Sequence, residues 1–163
     1  MFFHDNGKKH YEVTFKDGKI DEPFLAQTIT TAMRMLDNVI DINFYPTIEG
    51  QVANQRHRPV GLGVMGLQDA LFKMRAPFDS QKAMEASDLL LETVSYHAIL
   101  ASSQLARERG SYSSFKGSKW DRNLFPIDTV ALLAKERGQE IEMIGKETKD
   151  WSVVRNHVKQ YGM

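Results

Sequence analysis

The sequence predicts a mainly α-helical fold with one or two short strands, and three observations carry that reading. Apolar residues recur every three or four positions over two long stretches, Leu25 to Phe44 and Met84 to Leu105. Helix punctuation brackets both: Asp21-Glu22-Pro23 opens the first and Pro46 ends it, while Asp79 or Ser80 opens the second and Gly110 follows its last turn. Only two runs read as strand, the alternating His10 to Phe15 and the short apolar Pro59 to Met65.

Taken in order, residues 1–20 form a variable strand and turn segment, with Asp17-Gly18 at the turn of a hairpin. The first helix carries one apolar stripe, Leu25, Ile29, Met33, Leu36, Ile40 and Phe44. Thr47 to Gln55 reads as a connection. Pro59 to Met65 reads as a short buried strand, its glycines placed where a neighbouring backbone packs closely. A short helix follows from Leu67 to Met74, broken by Arg75 to Phe78. The longest helix bears Met84, Leu91, Val94, Ala98, Ala101 and Leu105, and Leu90 and Ile99 widen its apolar face, so it is covered on more than one side. Arg107 and Arg109 suit the negative end of its dipole, and Gly110 the left-handed position beyond. Ser111 to Ile127 lacks a period and reads as an ordered loop held by Tyr112, Phe115, Trp120 and Phe125. Asp128 caps a modest helix through Arg137, with Gly138 after it. Asp150 caps a last helix bearing Trp151, Val154, Val158 and Tyr161 on one face.

At 163 residues the chain has the length of one ordinary domain. Its 21 basic and 21 acidic residues cancel, so no overall field favours nucleic acid or an anionic membrane. The densest basic cluster, Arg56-His57-Arg58 beside Gln55, has no interleaved aromatics and reads as a solvated loop. There is no cysteine, which excludes disulfides, thiolate metal sites and cysteine nucleophiles or radicals within this chain. No apolar run is long enough to span a bilayer, and Met1 to Asp5 lacks the features of a signal peptide, so a cytoplasmic address is expected.

Several patterns invite chemistry. Gly61, Gly63 and Gly66 satisfy the G-x-G-x-x-G string of dinucleotide-binding turns, which needs a strand before the first glycine and an acid about twenty residues on, at the end of a second strand. Only Pro59 and Val60 precede the glycines. Asp79 and Glu85 lie at the right distance, but in a turn and a helix. The five histidines, His4, His10, His57, His97 and His157, fall in separate segments without ligand spacing; His97 reads as a packed or hydrogen-bonded residue rather than a ligand. Asp37 and Asp41 share a helix face and could pair as carboxylates, but beside Asn38 and Arg34 they read as a capped or salt-bridged surface. Ser102, Ser103 and the serines of 111–114 sit in no nucleophile elbow. Met33, Met35, Met65, Met74 and Met84 read as core packing on the apolar stripes. No residue is assigned a catalytic, cofactor-binding or metal role.

Four segments, in order, carry a resemblance: Leu36 to Pro46 (LDNVIDINFYP), Arg56 to Leu67 (RHRPVGLGVMGL), Leu105 to Gly110 (LARERG) and Trp151 to Met163 (WSVVRNHVKQYGM). Together they resemble the large, catalytic subunit of class I ribonucleotide reductase, from about Asp21 to Met163, with residues 1–20 matching poorly. The resemblance implies that residues 21–163 are part of the ten-stranded α/β barrel, with Pro59 to Met65 as one stave and the long helices outside. It also implies reduction of ribonucleotides to deoxyribonucleotides for DNA synthesis, by a cysteine thiyl radical and a reducing cysteine pair. The radical cofactor lies in a partner small subunit, with nucleotide effectors and a thiol reductant completing the system. None of the family's reacting positions maps onto this chain. The expectation is therefore a structural fragment, inactive alone, whose partners are the remaining segments of the large subunit and, through them, the radical-generating small subunit. Self-association through exposed apolar faces is also expected. The alternatives are a stand-alone helical interaction module derived from the reductase, or a dinucleotide-binding protein using Gly61, Gly63 and Gly66.

Overall fold

The computed structural model describes residues 20–141 and 148–163 in full and, before them, the backbone of four two-residue strands. β1 (His4–Asp5) pairs antiparallel with β2 (Lys8–Lys9), and β3 (Phe15–Lys16) with β4 (Lys19–Ile20) in the register Phe15 to Ile20 and Lys16 to Lys19. The Asp17-Gly18 turn expected from sequence falls between β3 and β4 and lies outside the described residues. Residues 10–14 of the alternating run lie outside the described residues.

Beyond Ile20, the regular elements among the described residues are all helices. α1 (Glu22–Ile42) starts where Asp21 accepts a hydrogen bond from the Phe24 amide at 3.3 Å, with Pro23 in the first turn. It buries Leu25, Ile29, Met33 and Ile40. It stops short of Phe44, which is exposed, because Asn43 turns to extended backbone and the Tyr45 hydroxyl donates to the Ile40 carbonyl at 2.7 Å. α2 (Ile48–His57) occupies the stretch expected to be a connection. Thr47 caps it, accepting from the Gly50 amide, but no α2 residue is buried, and Ile48 and Val52 face solvent. α3 (Leu67–Lys73) follows, anchored by fully buried Leu71.

α4 (Gln81–Arg109) is the long helix, and Ser80 rather than Asp79 caps it, accepting from the Ala83 amide. Beyond it Gly110 has φ 87° and ψ 156°, a positive-φ conformation other than the left-handed helical one expected. A 3₁₀ turn, Pro126–Asp128, leads into α5 (Thr129–Arg137). The Asp128 carboxylate accepts from the Phe125 amide at 2.7 Å, so it closes this turn and leaves the first amides of α5 alone. Gly138 takes the left-handed position after α5. α6 (Trp151–Tyr161) is capped by Asp150, which accepts from the Ser152 amide at 3.0 Å.

α1 and α6 pack on α4, which enters all three apolar clusters. Leu25, Ile29 and Met33 of α1 meet Leu90 and Ala101; Trp151, Val154 and Val158 of α6 meet Ile99 and Phe125; Leu71 and Ala76 meet Ala83. Phe125, Trp151, Trp120 and Tyr96 meet edge to face, and Tyr112, Phe115, Trp120 and Phe125 do hold the 111–127 loop as expected. Of the methionines read as core, Met33 is buried, but Met35, Met65 and Met84 are exposed.

The expectation of a buried strand at residues 59–65 and of a barrel segment is not met. Residues 59–66 are irregular, and among the described residues there is no barrel, only helices and the two ribbons. A strand exists through its ladder, and no described segment pairs with this run. Nor is the run buried: Val60, Val64 and Met65 are exposed, and Leu62 alone packs toward the α1–α4 cluster. A Cβ on Gly61 or Gly63 would meet nothing within 4 Å, so neither glycine serves a close approach within the chain.

Candidate functional site

Among the described residues, three of the polar clusters stand out, each joining segments distant in sequence. The first lies at the end of α1. Asp37 and Asp41, one turn apart, face the same way. Arg58, the residue ending α2, reaches them with its whole fork: Nε to Asp37 Oδ1 and Nη1 to Asp41 Oδ1 at 2.8 Å, Nη2 to Asp41 Oδ2 at 2.9 Å and to the Asp37 carbonyl at 3.0 Å. Arg109, at the end of α4, takes the other Asp37 oxygen and also binds Asn38. One turn earlier Arg34 pairs with Glu108. The Arg58 guanidinium holds the Asp41 carboxyl below the usual carboxylate range, and the two aspartates in turn raise the Arg58 pKa.

The second lies where residues 148–150 lead into α6. Glu92 accepts from the Thr148 amide and hydroxyl, the Lys149 amide and the Trp151 indole. Burial pushes its pKa up, but these donors outweigh burial and leave it lowered. Beside it Glu22 accepts from Lys149 at 2.6 Å and pairs with His97 at 3.1 Å; the Lys149 bond is the main cause of its lowered pKa, with His97 adding to it. Nearby, Arg155 grips Asp128 at 2.8 Å and lies 4.6 Å over the Phe125 ring.

The third joins α4 to the end of α6. Ser103, fully buried, donates its one hydroxyl proton to the Gly162 carbonyl at 2.7 Å and so accepts from His157 Nδ1–H at 2.8 Å. Burial, then the charge of Arg107, lowers the His157 pKa.

The candidates from sequence fall out accordingly. Gly61, Gly63 and Gly66 form no dinucleotide turn: no strand precedes them, Asp79 lies in a turn, Glu85 in α4, and Gly66, with φ 82°, opens a helix of only seven residues. His97 is the hydrogen-bonded residue expected. His57 Nδ1 lies 2.7 Å from Ser114 Oγ, but that hydroxyl points to the Arg56 carbonyl, so the pair holds a loop and offers no nucleophile. The side chains of His4 and His10 lie outside the described residues. Asp37 and Asp41 form the salt-bridged surface expected; their arginine partners were missed. Arg58 was read as solvated, and only its left-handed backbone, φ 43° and ψ 51°, turns it back onto α1. Glu92, Lys149 and Glu22 lie too far apart in sequence for any spacing rule to join them.

Among the described residues, no three His, Asp or Glu side chains could hold a metal, and no helix is long and apolar enough to cross a membrane. The described residues form a helix-packed segment whose charged side chains tie its own parts together. Comparison with known proteins supplies the family. The family model for the ribonucleotide reductase barrel domain matches residues 8–163, and the chain belongs to that family. It is 57% identical over 145 residues to the ribonucleoside-diphosphate reductase subunit alpha of Chlamydia trachomatis, covering 88% of this chain and 14% of that subunit. It is 38% identical to the Helicobacter pylori subunit alpha, covering 87% of this chain and 18% of that subunit, and 31% identical to the Vaccinia virus large subunit, covering 90% and 18%. The chain therefore spans less than a fifth of the length of these relatives.

Proposed function

We propose that this chain is a scaffold segment of a ribonucleoside-diphosphate reductase large subunit, supporting ribonucleotide reduction through architecture and supplying no reacting group. The observation that carries this is the absence of cysteine from all 163 residues of a chain that belongs to the ribonucleotide reductase family, for which the resemblance implies thiol chemistry. On this reading the radical cofactor belongs to the partner small subunit, nucleotide effectors and the thiol reductant act elsewhere in the large subunit, and the working address is the cytoplasm. Companion large-subunit segments are the partners. Supporting them are the apolar side chains left in solvent, among them Ile42, Phe44, Ile48, Met65, Phe72 and Phe78.

The purified chain, supplied with ribonucleoside diphosphate, small subunit, effector and dithiol, is expected to give no deoxyribonucleotide. Adding polypeptides that carry the family's cysteines is expected to restore turnover. Product formed by the chain alone would overturn the proposal.

A further inference from the structure

α2, like α5, is a helix of the described residues without a buried side chain, and the residue ending it, Arg58, is tied by ion pairs to α1. It buries no side chain, and Ile48 and Val52, one turn apart, point to solvent, so its apolar residues do not hold it. The bonds that tie it to the rest lie at its C-terminal end: the Arg58 fork on Asp37 and Asp41, His57 on Ser114, and the Ser114 hydroxyl on the Arg56 carbonyl. Arg58 makes its bonds from left-handed backbone, which residues with a Cβ adopt at a cost. On one side of α2 lies the 43–47 link; on the other, Gly61 and Gly63 stand in open space.

We infer that residues 47–58 form a flap closed by an electrostatic latch, in which Arg58 is the positioning residue and Asp37 and Asp41 are the keep. The latch is tightened from behind, because Arg109 holds the second oxygen of Asp37 and fixes that carboxylate to the end of α4. Opening the flap breaks charge-assisted bonds and exposes no core, so it leaves the three apolar clusters intact. It is therefore a local event, separate from unfolding. This inference rests on the geometry of α2 alone and stands whether or not the chain serves a reductase.

Hydrogen exchange of the full 163-residue chain, read by peptide mass, tests it. Arg58→Ala is expected to speed exchange at residues 48–57 by about tenfold or more while α1, α4 and α6 keep their protection. Arg58→Gly, which accepts the left-handed backbone but lacks the fork, should do the same, and Asp41→Asn should do so more weakly. If the Arg58 variants do not fold, the wild-type chain decides: raising the salt concentration should loosen residues 48–57 selectively. Unchanged exchange at 48–57 in the variants and in high salt would overturn the inference, as would an equal rise throughout the chain.

Discussion

α6 and α2 are helices of eleven and ten residues set on the same body by opposite means. α6 turns Trp151, Val154 and Val158 into a cluster with Ile99 and Phe125, and charges trim its edges. α2 has its apolar residues outside and is held at one end by a guanidinium between two carboxylates. Length and a good N-cap, which both possess, form a helix without deciding how it is attached. Attachment by burial resists added salt; attachment by charge is weakened by it.

The sharpest way to break the comparison is Phe125→Ala. Phe125 is 1% exposed and meets Trp120, Trp151 and Arg155, so its loss should cost about 3–5 kcal/mol in chemical denaturation and release α6 with the rest of its cluster. Two glycines extend the contrast. At Gly162, φ is 80° and a Cβ would lie 2.5 Å from Ser111 Oγ, so Gly162→Ala should cost about 2 kcal/mol. Gly63→Ala, in the open run, should shift the midpoint by no more than about 0.5 kcal/mol.

Smaller is a pH dependence at the α6 end. The His157 pKa is lowered from 6.5, so the unfolded chain takes up that proton first. Stability should be undiminished above pH 6.5, decline as pH falls from there, and level off below the folded value; His157→Gln should flatten that slope in a pH series of melts. The smallest effect belongs to α2. Val52→Ser should leave the melting temperature unchanged within error, and a loss as large as that of Val154→Ser would show that α2 is held by burial after all.

The same contrast explains what the sequence disclosed. α1, α4 and α6 were legible because apolar residues at three- and four-residue spacing record which face is covered. α2 was not, since Ile48 and Val52 are too few and face outward. The apolar run at 59–65 was misread because a short stretch of that kind looks the same with or without a neighbour to pair with. Asp37 and Asp41 announced themselves by spacing. Arg58 did not, because a left-handed arginine leaves no signal, and Arg109 was assigned to the helix dipole when its main partner is Asp37. The family was legible from four motifs, each covering a part that ties the chain together: the Asp37 and Asp41 turn, Arg58, Arg109 and the packed face of α6.

At 29 residues α4 is about 43 Å long, and its side chains enter three different clusters, Ala83 near the start in one, Leu90 and Ala101 in a second, and Ile99 in the third. Spacing between those clusters is thus dictated by peptide geometry, as the marks on a ruler are by the stick. Ala83 and Ile99, one in each of two clusters, are accordingly kept about 24 Å apart along the axis by the backbone between them.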